Sequence, residues 1–211
     1  HITTVTDMNI RLEHVSFKYD RMKETNILDD ISIEIPQGRV TAIVGTSGSG
    51  KTTLAKLILD QYAPLEGSIY VGSTRLENIN LTWWRQQCGA VMQDGKLFEE
   101  SIAQNIALGY DEIDTSRIEY AARMANISND INQLPMGFDT ILYQGGQNLS
   151  NGQRQRLLIA RAIYRMPRLF VFDEATHSLD TNNEIAIVNN LQEVFQGKTV
   201  VLIAHRLSTV L

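Results

Sequence analysis

Between Ile10 and Tyr19 the apolar side chains fall at Ile10, Leu12, Val15, Phe17 and Tyr19. Alternation of this kind predicts a strand with one buried face, and the phase slip near His14 predicts a bulge. "ISIEI", Ile31 to Ile35, alternates strictly and stops at Pro36, and "GSIYVGS" forms a third short strand set between glycines. Half-buried alternation favours antiparallel pairing. A second kind of strand is apolar almost throughout: "VTAIV" (Val40 to Val44), "LFVF" (Leu169 to Phe172) and "TVVLIA" (Thr199 to Ala204). Such runs predict strands buried on both faces of a parallel sheet. Helical patterns lie beside them, Thr52 to Gln61 after the first and Asn182 to Phe195 before the last, which is α/β order. From about Ser101 to Tyr143 the pattern becomes helical only, as "SIAQNIAL" and "SRIEYAARMANI", with Ser101 and Ser116 as expected N-caps.

Composition removes alternatives more than it adds detail. The chain has 211 residues, room for one large domain with a subdomain. Hydrophobic residues make up 43% and charged residues 20%, an ordinary globular balance. A net charge of -5 with no long basic run disfavours a nucleic-acid surface. "RQRLLIARAIYR" is basic, but it reads as the solvated face of an amphipathic helix. The single cysteine, Cys88, excludes an internal disulfide and reads as a small core residue. No apolar run approaches the ~18 residues that span a bilayer. Trp83 and Trp84 are expected to cover a helix–sheet contact. His14 and His177 offer no evident chemical partner and are read as structural.

"GTSGSGKTT" follows "VTAIV" directly. It fits G-x-x-x-x-G-K-[ST] through Gly45, Gly50, Lys51 and Thr52, with Thr46, Ser47, Gly48 and Ser49 between and Thr53 after. A buried strand before and a helix after are the context that this motif requires. Glycines let successive backbone N–H groups converge on a phosphate, and the helix N-terminus adds its dipole. Lys51 would reach β- and γ-phosphates and the Thr52 hydroxyl would hold Mg²⁺. The fold expected is therefore α/β, a P-loop NTPase core with a mostly parallel sheet, an N-terminal antiparallel β subdomain and a helical insertion. "LFVFDE" supplies Asp173 at the carboxyl end of an apolar strand, the edge where ligands sit in such sheets. Asp173 would hold Mg²⁺ through water, and Glu174 would act as general base toward the attacking water. In "LSNGQRQRLLIARAI", Ser150 and Gln153 form a capping box, and a second helix N-terminus is offered to an anion.

Taken together, these segments resemble the ATP-binding domain of ABC transporters. "LSNGQ" resembles the signature loop, and "FDEATHSLD" resembles Walker B followed by the D-loop ending at Asp180. "VMQD" places Gln93 at the Q-loop, "IAHRLST" places His205 at the switch histidine, and "VSFKY" places Tyr19 where the family stacks an aromatic on adenine. "LFEESIAQNIAL" is similar to exporters, and "AARMANISNDINQLPMGFDT" more narrowly to exporters of bacteriocins whose precursors carry nitrile-hydratase-like leaders. Exporters of lipids and peptidase-containing bacteriocin exporters are the competing matches.

The resemblance implies ATP and Mg²⁺ as ligands. It also implies a second ATP-binding domain, in a homodimer, and a transmembrane domain, fused or separate, at the cytoplasmic face of the membrane. Ser150, Gly152 and Gln153 would act in trans on the partner's ATP, and His205 would hold the γ-phosphate and the attacking water. Gln93 would join the metal site to the transmembrane domain. Expected boundaries are about 1–40 and 65–75 for the antiparallel part, 40–62, 89–94 and 166–211 for the P-loop core, and about 95–165 for the helical subdomain. Departures are Asn151 where the signature has glycine, and His177-Ser178 before the D-loop. Family members continue past the switch segment, so the stop at Leu211 implies a truncated C-terminus. A soluble ABC-type ATPase acting on DNA or ribosomes would need a coiled-coil insertion or second cassette. A GTPase would need N-K-x-D. Neither occurs in these residues.

Overall fold

Eight strands and seven α-helices account for most of the residues described, which in this computed structural model are 1–46 and 48–204. In chain order they are β1 (Ile10–Phe17), β2 (Leu28–Ile35), β3 (Val40–Val44), α1 (Lys51–Ile58), β4 (Glu66–Val71), β5 (Thr74–Arg75), α2 (Leu81–Gln87) and β6 (Cys88–Val91). Then follow α3 (Ile102–Ile106), α4 (Thr115–Met124), α5 (Ser128–Asn132), α6 (Asn151–Tyr164), β7 (Leu169–Asp173), α7 (Thr181–Val194) and β8 (Thr199–Ala204). The chain divides into two units. Of the described residues, the first holds His1–Cys88, Arg168–Asp173 and 197–204; the second holds Gly89–Pro167 and Glu174–Gln196.

In the first unit, β1 is the centre of an antiparallel sheet ordered β2-β1-β4-β5. Its alternating residues Ile10, Leu12, Val15 and Phe17 are all buried. The pairing with β2 slips between Leu12 and Val15, and His14 there has φ of 51°, so the phase slip is a bulge. His14 gains a partner that sequence reading did not supply: its Nδ1 lies 2.7 Å from Asp30 Oδ1, with both side chains exposed. A parallel sheet in the same unit runs β3-β8-β7, with Ala42 opposite Leu202 and Val171 opposite Val201. All five residues of β7 are buried. β3 is different. Val40 and Val44 are 51% and 40% exposed, so this strand is not buried on both faces as its apolar run predicts. Among the described residues it is the edge of its sheet, paired with β8 alone. Trp84 is fully buried, and its indole N–H donates to the Ile58 carbonyl at the end of α1. Cys88 is buried, as a core residue should be.

The second unit is helical, with α3, α4 and α7 packed on or around α6 and one another. Ser101 caps α3 through a full capping box with Gln104. The cap of α4 is Asp114, not Ser116: its carboxylate accepts from the Arg117 amide, and Ser116 lies inside the first turn. A carboxylate at the N-terminus also meets the helix dipole, which a hydroxyl does less well. Two arginines of the basic helix α6, Arg156 and Arg161, are turned inward rather than presented to solvent. Arg156 is buried and pairs with Asp130 at 2.9 Å, and its Nη1 also donates to the Asn126 carbonyl. Arg161 donates to the carbonyls of Asn105 and Lys96, both at 2.8 Å, and burial brings its pKa down to about 10. A basic helix face predicts solvation, but these side chains serve as long hydrogen-bonding struts.

Candidate active site

In the first unit, the loop after β3 is built by backbone conformation. Gly48 and Gly50 have φ of 80° and 89°, values that side-chain-bearing residues rarely adopt. Gly50 is the N-cap of α1, and a Cβ there would meet Leu28 Cδ2 at 2.7 Å. The loop thus leaves no room for a side chain at its turn into the helix. A Cβ on Gly45 would in the same way meet the Ser49 hydroxyl at 2.9 Å. Lys51 folds back over the loop, its ammonium donating to the Gly45 carbonyl and, at 3.3 Å, to that of Ala204. Those carbonyls stand at the carboxyl ends of β3 and β8. β7 ends beside them at Asp173, which is 2% exposed and accepts from the Thr52 hydroxyl at 2.7 Å. Lys51, Thr52 and Asp173 are therefore gathered at one sheet edge.

Tyr19 is 47% exposed, and its hydroxyl is 2.9 Å from Thr53 Oγ1, which ties the ring to α1. It stands edge-on to Phe17 and Tyr62 at 5.0 and 5.2 Å between centroids. An exposed ring face held by a hydrogen bond and two aromatic neighbours is a fit surface for a planar base.

In the second unit, Glu174 is half-buried with φ of 52°, a strained value for a residue with a side chain. Its carboxylate accepts from Gln93 Nε2 at 3.0 Å. Ser150 caps α6: its hydroxyl accepts from the Gln153 amide at 3.1 Å, and Gln153 Oε1 accepts in return from the Ser150 amide at 2.9 Å. Ser150 is exposed. Gln153 also donates to Asp130 at 3.0 Å. Burial alone would raise the Asp130 pKa, but hydrogen bonds from Arg156 and Gln153 outweigh it and hold the carboxyl below its ordinary value. Asn151, the departure in the signature loop, bonds through Oδ1 to Arg154 of its own helix, so the loop keeps its capped form. Asp180 caps α7, and its pKa is lowered by the Asn183 backbone and side-chain N–H groups. A cleft of about 720 Å³ lies beside Gln93, lined by Lys96, Phe98, Arg154, Glu174 and His177 among others.

Of the expected residues, Gly45, Thr46, Gly48, Ser49, Gly50, Lys51, Thr52, Thr53, Tyr19 and Asp173 belong to the first unit. Gln93, Ser150, Gly152, Gln153, Glu174 and Asp180 belong to the second. Ser47 and His205 lie outside the described residues. Sequence reasoning missed Gln155, which bonds to the backbone at Glu174 and Ser178, and Asp130, which anchors the signature helix. The Asn- and Asp-rich run "NISNDIN" was the available signal for Asp130.

Among the described residues no group of three or more His, Cys, Asp or Glu could hold a metal ion, and no helix is long and apolar enough to cross a membrane. A hydroxyl and one carboxylate suit Mg²⁺, which keeps waters and takes its remaining oxygens from substrate phosphates. Thr52 and Asp173 fit that donor set.

A family model described as "ABC transporter" matches residues 28–177. The chain is 43% identical over 202 residues to the toxin RTX-III translocation ATP-binding protein of Actinobacillus pleuropneumoniae. It is 44% identical, again over 202 residues, to the leukotoxin translocation ATP-binding protein LktB of Mannheimia haemolytica. Each alignment covers 96% of this chain and 28% of the relative. Among solved structures, that of a bacterial Atm1-family ABC exporter with ATP bound superposes with a TM-score of 0.93 at 38% identity, over 98% of this chain and 36% of the exporter chain.

Proposed function

Because the chain belongs to the ABC transporter family, as an ATP-binding domain of exporter type, we propose that it binds ATP with Mg²⁺ and hydrolyses it to drive export across a membrane. The observation that carries this is the 2.7 Å bond from Thr52 to the buried Asp173, which joins the glycine loop to the strand-end carboxylate. The antiparallel, P-loop and helical parts given above are the division we propose for it.

In this reading the loop amides from Gly45 to Thr53 cradle the phosphates, and Lys51 leaves the Gly45 and Ala204 carbonyls for the β- and γ-phosphoryl oxygens. Mg²⁺, when bound by Thr52 and Asp173, supplies charge neutralisation on the transferring group. Gln93, which the resemblance assigns to the metal site, donates to and orients the carboxylate of Glu174. Glu174 accepts a proton from water as that water attacks the γ-phosphorus. The bond to the β,γ-bridging oxygen breaks, and its electron pair leaves with ADP. Tyr19 stacks on the adenine. Ser150, Gly152 and Gln153 close on the ATP of a second copy, and His205 meets the γ-phosphate. Positioning and charge supply most of the rate in such a transfer.

The chain spans 28% of each named relative, and the partners proposed are a second ATP-binding domain and a transmembrane domain at the cytoplasmic face of the membrane. The relatives' names specify toxin translocation, which favours a polypeptide cargo over a lipid. The narrower bacteriocin assignment rests on the Ala121–Thr140 segment.

The test is light-scattering mass with and without ATP and Mg²⁺, on wild type and Glu174→Gln. Removing the base should trap ATP between two copies. A dimer that appears only with ATP and persists in the variant is the expected result; a monomer that binds no ATP would refute the reading.

A further inference from the structure

One side chain in the second unit bonds to both ends of the segment that follows Asp173. Gln155 lies on α6 three residues after Gly152, on the same helix face. Its Nε2 donates to the Glu174 carbonyl at 3.2 Å, and its Oε1 accepts from the Ser178 amide at 2.7 Å. The Glu174 carbonyl also accepts from the His177 amide at 3.1 Å, so both its lone pairs are engaged. This is the residue held at φ of 52°. A strained backbone persists only where its surroundings determine it, and here two donors fix the peptide plane that leaves Glu174.

The rest of the contact is backbone on backbone. A Cβ on Gly152 would stand 3.4 Å from the Ser178 carbonyl oxygen, so α6 and the turn lie in close approach with little between them. At the start of the same helix stands Ser150, its capping box making the first turn rigid. The turn ends at Asp180, which caps α7.

We propose that Gln155 is a positioning residue for hydrolysis. It holds the Glu174 backbone so that the carboxylate stays on Gln93, and it makes that hold depend on α6. This rests on the function proposed above, in which Ser150 meets the ATP of a second copy. The helix that senses the partner's nucleotide is then the helix that aligns the chain's own base. Docking of Ser150 at one ATP shifts α6, and Gln155 passes the shift to Glu174 one and a half turns along. Hydrolysis at the two sites becomes coupled through one amide.

Two variants separate this from a plain structural role. Gln155→Leu removes both bonds at similar size. Gln155→Glu keeps an acceptor for the Ser178 amide, loses the donor to the Glu174 carbonyl, and sets a carboxylate oxygen against it. ATP affinity by equilibrium dialysis, steady-state hydrolysis and thermal melting are measured on each full chain. The expected result is a kcat lowered about tenfold or more in both variants, with ATP affinity within about twofold of wild type, since no phosphate contact is touched. The Hill coefficient for ATP, above 1 in wild type, falls to 1. Wild-type kcat and Hill coefficient in Gln155→Glu would overturn the proposal, as would a loss that follows ATP affinity or melting temperature alone. If Gln155→Leu fails to fold, Gln155→Glu decides. A wild-type chain that neither binds nor hydrolyses ATP would overturn the function itself, whereas unaffected Gln155 variants of an active chain would overturn only the coupling.

Discussion

Replacing Thr52 by Val removes one hydroxyl and keeps the shape. In the structure that hydroxyl donates to Asp173 at 2.7 Å, and Asp173 is 2% exposed. Removing the donor from a buried acceptor costs about 1–3 kcal/mol, so about 2 kcal/mol is the expected loss. For a chain of this size each kcal/mol shifts the midpoint by about 2–4 °C, giving a drop of roughly 4–8 °C. The assay is thermal melting without nucleotide or metal, at neutral pH, on wild type, Thr52→Val and Thr52→Ser. Serine retains the donor and should lose no more than about 1 kcal/mol, through its missing methyl. Adding ATP with Mg²⁺ should raise the midpoint of wild type and Thr52→Ser but leave Thr52→Val close to its nucleotide-free value, because ligand stabilises only what binds it. A Thr52→Val chain that melts with wild type in the absence of ligand would refute the claim that this bond fastens the loop to the sheet edge. One that melts low yet gains the full ATP·Mg²⁺ shift would refute the role of Thr52 at the metal.

Gly152→Ala should separate folding from function: the new Cβ meets the Ser178 carbonyl at 3.4 Å, an ordinary contact, and alanine in the first turn of α6 gains up to about 0.5–1 kcal/mol. Melting should be unchanged or slightly raised while the ATP-dependent dimer seen by light scattering is lost. The Asp130 carboxyl is lowered below its unfolded value of 3.8, so its pairing with Arg156 contributes stability above that pH and loses it as pH falls through the folded pKa. The midpoint difference between wild type and Asp130→Asn should therefore hold steady from pH 7 to pH 5 and close below about pH 4, as a melting series across pH would show. Trp84→Phe leaves the Ile58 carbonyl without its indole donor in a buried place and should cost about 1–3 kcal/mol in chemical denaturation, with ATP affinity unchanged.

What could be read from the chain, and what could not, divides by range. The phosphate loop was legible because its demands are local. Positive φ at Gly48 and Gly50 is a property of single residues, and the strand before and helix after are written in adjacent periodicities. The capping box of Ser150 and Gln153 is equally local, as are the alternation and slip of β1. The burial of β3 was not legible because an apolar run does not say how many neighbours a strand has, and among the described residues β3 pairs with one. Arg156 and Arg161 were misread because a basic helix looks the same whether its partners are water or the Asp130 carboxylate and Asn105 carbonyl many residues upstream. Gln155 carried no local signal at all, since its two bonds cross 19 and 23 residues of chain.

The dipeptide Asp173-Glu174 shows the same division at its sharpest. As letters the two acids are nearly interchangeable, and only their order after an apolar strand suggests different duties. In the structure Asp173 is the last residue of a fully buried strand, fixed by a hydroxyl at 2.7 Å. Glu174 is the first residue of a left-handed turn, half-buried and held by two glutamines, one on its carboxylate and one on its backbone. A buried, rigid carboxylate suits an ion and is poorly placed to trade protons with water. A partly exposed one, oriented by a neutral amide donor, can accept a proton and release it. Under the function proposed above, the switch from strand to strained turn between these adjacent residues suits Asp173 to an ion and Glu174 to proton transfer.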